Sequence, residues 1–196
     1  STEVPVTTIG APDNPARGAD TDGRPGIAAI RLSPHPAAPD GGEICARGPQ
    51  MFLGYLHPED DADAFDTDGY FRTGDLGRLD DGHLVVTGRA KDIIIRNGEN
   101  IAPKEVEDVL IGHPDVAQVA VVGLPDPRTG ERACAVIVTR ARPAPGVAEL
   151  AEFLTARGMA RFKSPEQVVV WDSLPRNDAG KILKHQIRAR LVDTDE

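Results

Sequence analysis

GRAKDIIIRNGENIAPKEVE, residues 88–107, holds the change of pattern on which the fold turns. A lysine-free, strand-rich region ends at Gly88-Arg89. A strand is predicted from Lys91 to Arg96, carrying three consecutive isoleucines. Asn97-Gly98 is a tight-turn signal, because such turns need residues that tolerate positive φ. Pro103 then opens a helix where its missing N–H costs nothing. Val106, Val109 and Leu110 share one face of that helix at i, i+3, i+4 spacing.

Downstream, Val116–Leu124 and Arg132–Arg140 are long β runs. Val147–Arg157 reads as a helix with Val147, Leu150, Ala151 and Leu154 inward, ended by Gly158. Gln167–Trp171 is a strand, and Lys181–Leu191 a final helix with Ile182, Ile187 and Leu191 on its apolar side. The order β-α-β-β-α-β-α predicts a compact α+β domain of about a hundred residues. Upstream, residues 10–26 are rich in Pro, Gly, Asp and Asn and read as loops. Strands are expected at Ile27–Leu32, Glu43–Arg47 and His83–Thr87. Pro58 to Phe65 reads as one or two helical turns, with acids in the first turn where the helix dipole favours them. Short strands and long loops suggest the edge of something larger.

Charge divides the chain at the same place. Residues 1–88 carry 15 Asp and Glu against 6 Arg and no Lys, whereas residues 89–196 carry 16 of each sign and all five lysines. The boundary is therefore set at Gly88-Arg89. A net charge of −9 argues against nucleic acid as a partner, which would want a basic stripe. No apolar run is long enough to span a membrane, and no signal peptide opens the chain. Cys45 and Cys134 lie far apart in apolar runs and read as packing residues, which fits a reduced, cytoplasmic setting. Aromatic residues make up 4% of the chain, so Leu, Ile, Val and Ala must fill the core.

Three stretches carry chemistry. Pro175–Arg188, PRNDAGKILKHQIR, sets Arg176, Lys181, Lys184 and Arg188, with Arg190 just beyond, around one Asp178. A basic tip on an acidic protein suggests an anionic ligand. Read alone, Lys181 is also an ordinary solvated lysine at a helix start, and Arg176, Lys184 and Arg188 a solvated basic face. Phe71-Arg72-Thr73-Gly74-Asp75-Leu76 is a Thr-Gly-Asp turn. Its carboxylate suits a pair of hydroxyls, or simply stabilises a loop. The hairpin tip Asn97–Asn100 would let a narrow ligand approach, or is a surface hairpin leading into a helix. Asp66, Asp68 and Asp75 raise a calcium loop, but the first ligand position is Ala64 and the twelfth is an Asp, which argues against it. The five histidines show no metal spacing.

Taken in order, these stretches resemble the adenylate-forming superfamily of acyl-CoA synthetases, luciferases and peptide-synthetase adenylation domains. Ser1-Thr2-Glu3 is similar to the end of its Thr-Glu motif. Gly42-Glu43-Ile44 through Gly54-Tyr55, Phe71–Leu76, Gly88–Glu107 and Pro175–Lys184 resemble four further motifs at the family's spacing. The resemblance implies an α+β chain: a β-rich remnant of the large N-terminal domain (1–88), followed by the complete small C-terminal lid domain (89–196). It implies a ligase that activates a fatty, aromatic or alicyclic carboxylic acid with ATP and Mg2+ to an acyl-adenylate, then transfers the acyl group to CoA. By motif, Lys181 would contact the carboxylate and α-phosphate, Thr2 the phosphates, and Asp75 both ribose hydroxyls. Arg89 would be a second ribose or phosphate contact, Glu3 a Mg2+ ligand and Lys91 the hinge. Gly98, Glu99 and Asn100 would line the CoA pantetheine tunnel.

The resemblance also implies what is absent. The family's Ser/Thr/Gly-rich phosphate loop lies upstream of Ser1, as does nearly all of the acyl pocket. The chain, which begins without Met, is thus expected to be a C-terminal piece that is inactive alone and exposes apolar edges suited to the missing domain or to a homodimer. The rival readings are a fatty acyl-AMP ligase serving a carrier protein, and a non-catalytic binding fragment.

Overall fold

The computed structural model describes residues 2–10, 15–140 and 143–193; Ser1 lies outside them. They form two compact units, Ser1–Lys91 and Asp92–Glu196.

The first unit is built on an antiparallel sheet, β3 (Ala29–Ser33), β4 (Gly42–Arg47), β5 (Phe71–Asp80) and β6 (His83–Arg89), in that order. Residues 10–26 are not all loop: a two-stranded ribbon, β1 (Thr8–Ile9) with β2 (Arg24–Pro25), flanks helix α1 (Pro15–Asp20). Asp22 and Gly23, between α1 and β2, cover the open edge of β6. The Asp22 amide donates to the Leu84 carbonyl (2.8 Å), the Leu84 amide to the Gly23 carbonyl (2.8 Å), and the Val86 amide to Asp22 Oδ2 (2.7 Å). An otherwise unpaired edge is thereby satisfied. Val4, Ala28, Ala46 and Phe71 make the small core, where Phe52 stacks on Phe65 at 5.6 Å and meets Phe71 edge-on at 5.4 Å. The 58–65 segment holds a single 3-10 turn, Pro58–Asp61. Asp66 serves that region as a turn cap: its Oδ1 accepts the amides of Asp68 (2.9 Å) and Tyr70 (3.0 Å), and its other oxygen pairs with Arg31.

Residues 71–76, expected as a turn, lie inside β5. The turn-like conformation survives as a bulge. Glu43 pairs with Leu76 but Cys45 with Arg72, so three residues of β5 (73–75) face Ile44 alone. Gly74 takes φ +69° there, as bulges with positive-φ glycine do.

In the second unit, strands β7 (Ile94–Arg96) and β8 (Glu99–Ile101) form a hairpin, followed by α2 (Pro103–Leu110), β9 (Val116–Asp126), β10 (Gly130–Thr139), α3 (Val147–Ala156), β11 (Gln167–Val170) and α4 (Lys184–Val192). Residues 90–92 form a 3-10 turn rather than the start of the strand. The centre is β10, antiparallel to β9 on one side and parallel to β11 on the other, with β7 joining at Gly130↔Arg96. Alternate side chains of β10 enter two different cores. Ala133, Ala135 and Ile137 pack with Val106 and Leu110 of α2 and Leu150 and Leu154 of α3, whereas Cys134 and Val136 pack with Ile187 and Leu191 of α4. A sheet covered on both faces needs apolar residues at every position, which is why β9 and β10 read as unbroken hydrophobic runs. Both cysteines are buried and neither forms a disulfide.

Candidate functional site

Asp75 and Arg89 are brought together by strand register. They are direct partners in the β5–β6 ladder, and Arg89 Nε donates to Asp75 Oδ1 at 2.7 Å. The bulge turns Asp75 outward, leaving its side chain 32% exposed. A charged acceptor fixed from one side and open on the other suits a diol, whose two hydroxyls are donors. Within the bulge, Thr73 Oγ1 donates to the Ile44 carbonyl (2.7 Å) and accepts the Asp75 amide (3.1 Å).

Thr2 is exposed, and Glu3 is held against the loop after β4. The Phe52 amide donates to the Glu3 carbonyl (2.8 Å), and Tyr55 Oη donates to Glu3 Oε1 (3.4 Å). Desolvation and the negative charge of Glu3 hold the Tyr55 phenol above its ordinary range. Among the described residues, no group of three or more His, Cys, Asp or Glu is arranged to hold a metal. One carboxylate can still serve Mg2+, which keeps most of its coordination in water and phosphate oxygens.

The hairpin tip has the geometry its sequence required. Asn97 and Gly98 take φ +51° and +80°, and Arg96 pairs with Glu99 across the turn. Its base is braced from three sides: Arg96 grips Glu166 with two bonds (2.7 and 2.8 Å), the Ile95 amide donates to Glu131 Oε2 (2.7 Å), and the Asn97 amide to the Thr129 carbonyl (2.8 Å). The exposed backbone at Gly98 carries no Cβ and has open space around it.

The basic tip resolves into one outlying lysine and four engaged cations. Arg176 donates to the Gly180 carbonyl (2.5 Å) and to Gln118 (3.1 Å). Lys184 pairs with Glu107 at 2.7 Å, both side chains under 20% exposed. Arg188 donates to the Gly123 carbonyl (3.2 Å), and Arg190 lies 4.4 Å above the Trp171 ring. The expected solvated face is thus largely structural: Glu107, which also accepts the Val121 amide (2.6 Å), Arg176 and Arg188 cover the outer edge of β9. Their partners lie far away in sequence, so spacing could not show them.

Lys181 differs. It is exposed, and among the described residues no acceptor meets its ammonium. It precedes α4, which begins at Lys184 rather than Lys181. The Asn177-Asp178-Ala179-Gly180 turn closes through Gly180 N–H to the Asn177 carbonyl (2.8 Å), and Asn177 Oδ1 accepts the Lys181 amide (2.9 Å). Gly180 at φ +78° supplies the left-handed step. The loop is anchored by Ile182 in the α4-side core, whereas Ile94 and Ile101 anchor the hairpin in the opposite core. The lysine loop and the hairpin are therefore held from opposite faces of one sheet. Lys91 is exposed in the 3-10 turn where the two units divide.

Residues 105–181 match the AMP-binding enzyme C-terminal domain. The chain is 44% identical to the medium-chain fatty-acid–CoA ligase of Escherichia coli K12 over 154 residues, 77% of this chain and 27% of that protein. It is 42% identical over 179 residues to a salicyl-AMP ligase / salicyl-S-ArCP synthetase of Mycobacterium tuberculosis H37Rv, covering 87% of this chain and 32% of that protein. The o-succinylbenzoate CoA synthetase of Bacillus subtilis, in complex with its acyl-adenylate intermediate, superposes with a TM-score of 0.80 at 34% identity, covering 93% of this chain and 38% of that one. The chain spans about a third of the length of the curated relatives it matches. No helix among the described residues is long and apolar enough to cross a membrane. The chain belongs to the adenylate-forming superfamily and matches the C-terminal part of its acyl-CoA and acyl-AMP ligases.

Proposed function

We propose that this chain supplies the nucleotide-facing edge and the lid of an AMP-forming ligase that activates a carboxylic acid with ATP and passes the acyl group to CoA. The observation that carries the reading is Lys181: of the cations around the Asn177–Gly180 turn, its ammonium is the one that meets no acceptor among the described residues. As the acid attacks the α-phosphate, negative charge accumulates on the phosphoryl oxygens. A lysine brought there on a pre-closed loop offsets it without further reorganisation. Asp75, steadied by Arg89, accepts the ribose hydroxyls. Thr2 hydrogen-bonds on the phosphate side. Glu3 offers a carboxylate to Mg2+, which when bound neutralises phosphate charge.

In the second step a lysine of this kind has no task, and a narrow, backbone-lined approach for a thiol is needed. The hairpin tip at Gly98, Glu99 and Asn100 fits that need. Its anchorage on the face opposite Lys181 supports a lid that presents each in turn. Lys91, where the two units divide, is the proposed hinge. A carrier-protein thiol is the second reading for the acceptor, favoured by the 42% identity to the salicyl-S-ArCP synthetase.

The test is ATP–pyrophosphate exchange by the full-length gene product, with Mg2+ and a panel of straight-chain, aromatic and alicyclic acids. Exchange is expected, and Lys181→Ala should reduce it by about 100-fold or more. Exchange undiminished in Lys181→Ala would refute the assignment. Supplying CoA or a carrier protein to the preformed adenylate distinguishes the acceptors.

A further inference from the structure

Glu43 is a carboxylate where the fold has no packing use for one. It sits in β4, whose residues 42–46 are buried, and its own residue exposure is 7%. A buried carboxylate is costly unless paired and hydrogen-bonded. Here it is both: Oε2 accepts Arg72 Nε (3.1 Å) and Nη2 (2.9 Å), and Oε1 accepts the Gly74 amide (3.3 Å). These bonds fall where the β4–β5 ladder is interrupted. On the β4 side, regular backbone pairing is interrupted at residues 73–75. The Glu43 side chain and the Ile44 carbonyl hold them instead, the latter through Thr73 Oγ1 (2.7 Å). Thr73 then fixes the Asp75 amide, and the Thr73 carbonyl accepts Arg89 Nη2 (3.4 Å). A continuous chain of bonds thus runs from the buried carboxylate to the exposed Asp75–Arg89 pair.

We propose that Glu43 is a positioning residue for nucleotide binding: it clamps the Thr73–Asp75 bulge and so sets the angle at which Asp75 meets the ribose. This rests on the reading of Asp75 as the ribose acceptor. Glutamine at 43 has one acceptor oxygen and one donor NH2. It cannot serve both the Arg72 guanidinium and the Gly74 N–H, so the bulge loosens while the strand remains.

The experiment is equilibrium binding of ATP and of 2′,3′-dideoxy-ATP to the full-length protein, well below its melting temperature. The ratio of the two Kd values reports the ribose contact alone. In the parent protein ATP should bind more tightly. Asp75→Asn should collapse the ratio, and Glu43→Gln should reduce it about tenfold, the effect of one charged hydrogen bond. The double variant should discriminate no worse than Asp75→Asn, because both act on one contact. Thr73→Val, which leaves Glu43 paired, should reduce the ratio as well and serves if Glu43→Gln does not fold. A collapsed ratio in Asp75→Asn with an intact ratio in Glu43→Gln and Thr73→Val would overturn the positioning role. An intact ratio in Asp75→Asn would instead overturn the ribose reading, and the proposal with it.

Discussion

Replacing Glu107 with alanine removes one acceptor from two donors. Glu107 Oε1 takes the Val121 amide at 2.6 Å and the Lys184 ammonium at 2.7 Å. Val121 is fully buried on β9, and an unsatisfied buried amide costs about 1–3 kcal/mol. Lys184, its side chain 18% exposed, loses its counter-ion but can still turn toward water, which adds about 1 kcal/mol. The expected loss is therefore roughly 2–4 kcal/mol. In urea, where a domain of this size loses about 1–3 kcal/mol per molar, the midpoint should fall by roughly 1–2 M with an unchanged slope. Trp171 is the sole tryptophan, and it packs on the α4-side core, so its fluorescence reports the second unit alone. Glu107→Gln keeps a carbonyl for the Val121 amide and should lose only about 1 kcal/mol. Equal losses in the two variants would show that the amide cap contributes nothing. A loss below about 1 kcal/mol in Glu107→Ala would refute the edge-covering role itself.

At Gly98, φ is +80° and a Cβ would meet no neighbour. Gly98→Ala should thus cost only backbone strain, about 1 kcal/mol by the same fluorescence titration. A loss several times larger would show that the tip is packed. Acid should weaken the second unit. The Arg96 guanidinium holds Glu166 below the ordinary glutamate range despite partial burial, and the Arg128 and Thr129 amides with the Thr129 hydroxyl hold Asp126 below its own. Both carboxyls are depressed in the folded state. Their stabilisation is complete above the unfolded carboxylate pKa, roughly 4, and is lost as pH falls through the lower folded values. Arg96→Met should flatten the Glu166 part of this acid dependence, and an unchanged profile would rule out the pair as its source.

Periodicity and turn chemistry made much of the second unit legible. Asn97-Gly98, Pro103 and Gly158 impose local backbone conformations whatever surrounds them, and the hairpin, the start of α2 and the end of α3 follow. The long apolar runs of β9 and β10 announced buried strands. They could not say that two cores divide each strand, because that depends on which helices arrive on which face. The Thr-Gly-Asp stretch reads from sequence as a tight turn, not as a bulge within β5, since a bulge exists only relative to a partner strand.

The sequence by itself determined the α+β class and the order of the motifs, because these rest on residue type and spacing along the chain; the candidates Thr2, Glu3, Asp75, Arg89, Lys91, Gly98, Glu99, Asn100 and Lys181 are what the resemblance of those motifs to the family's implies. Only the tertiary structure decided how the charges are used. Arg188 finds Gly123, Arg176 finds Gln118 and Lys184 finds Glu107 across the fold. Charge interactions act through space, so four cations of the basic tip became edge cover and packing. Lys181, on its turn, was left with its charge directed to solvent.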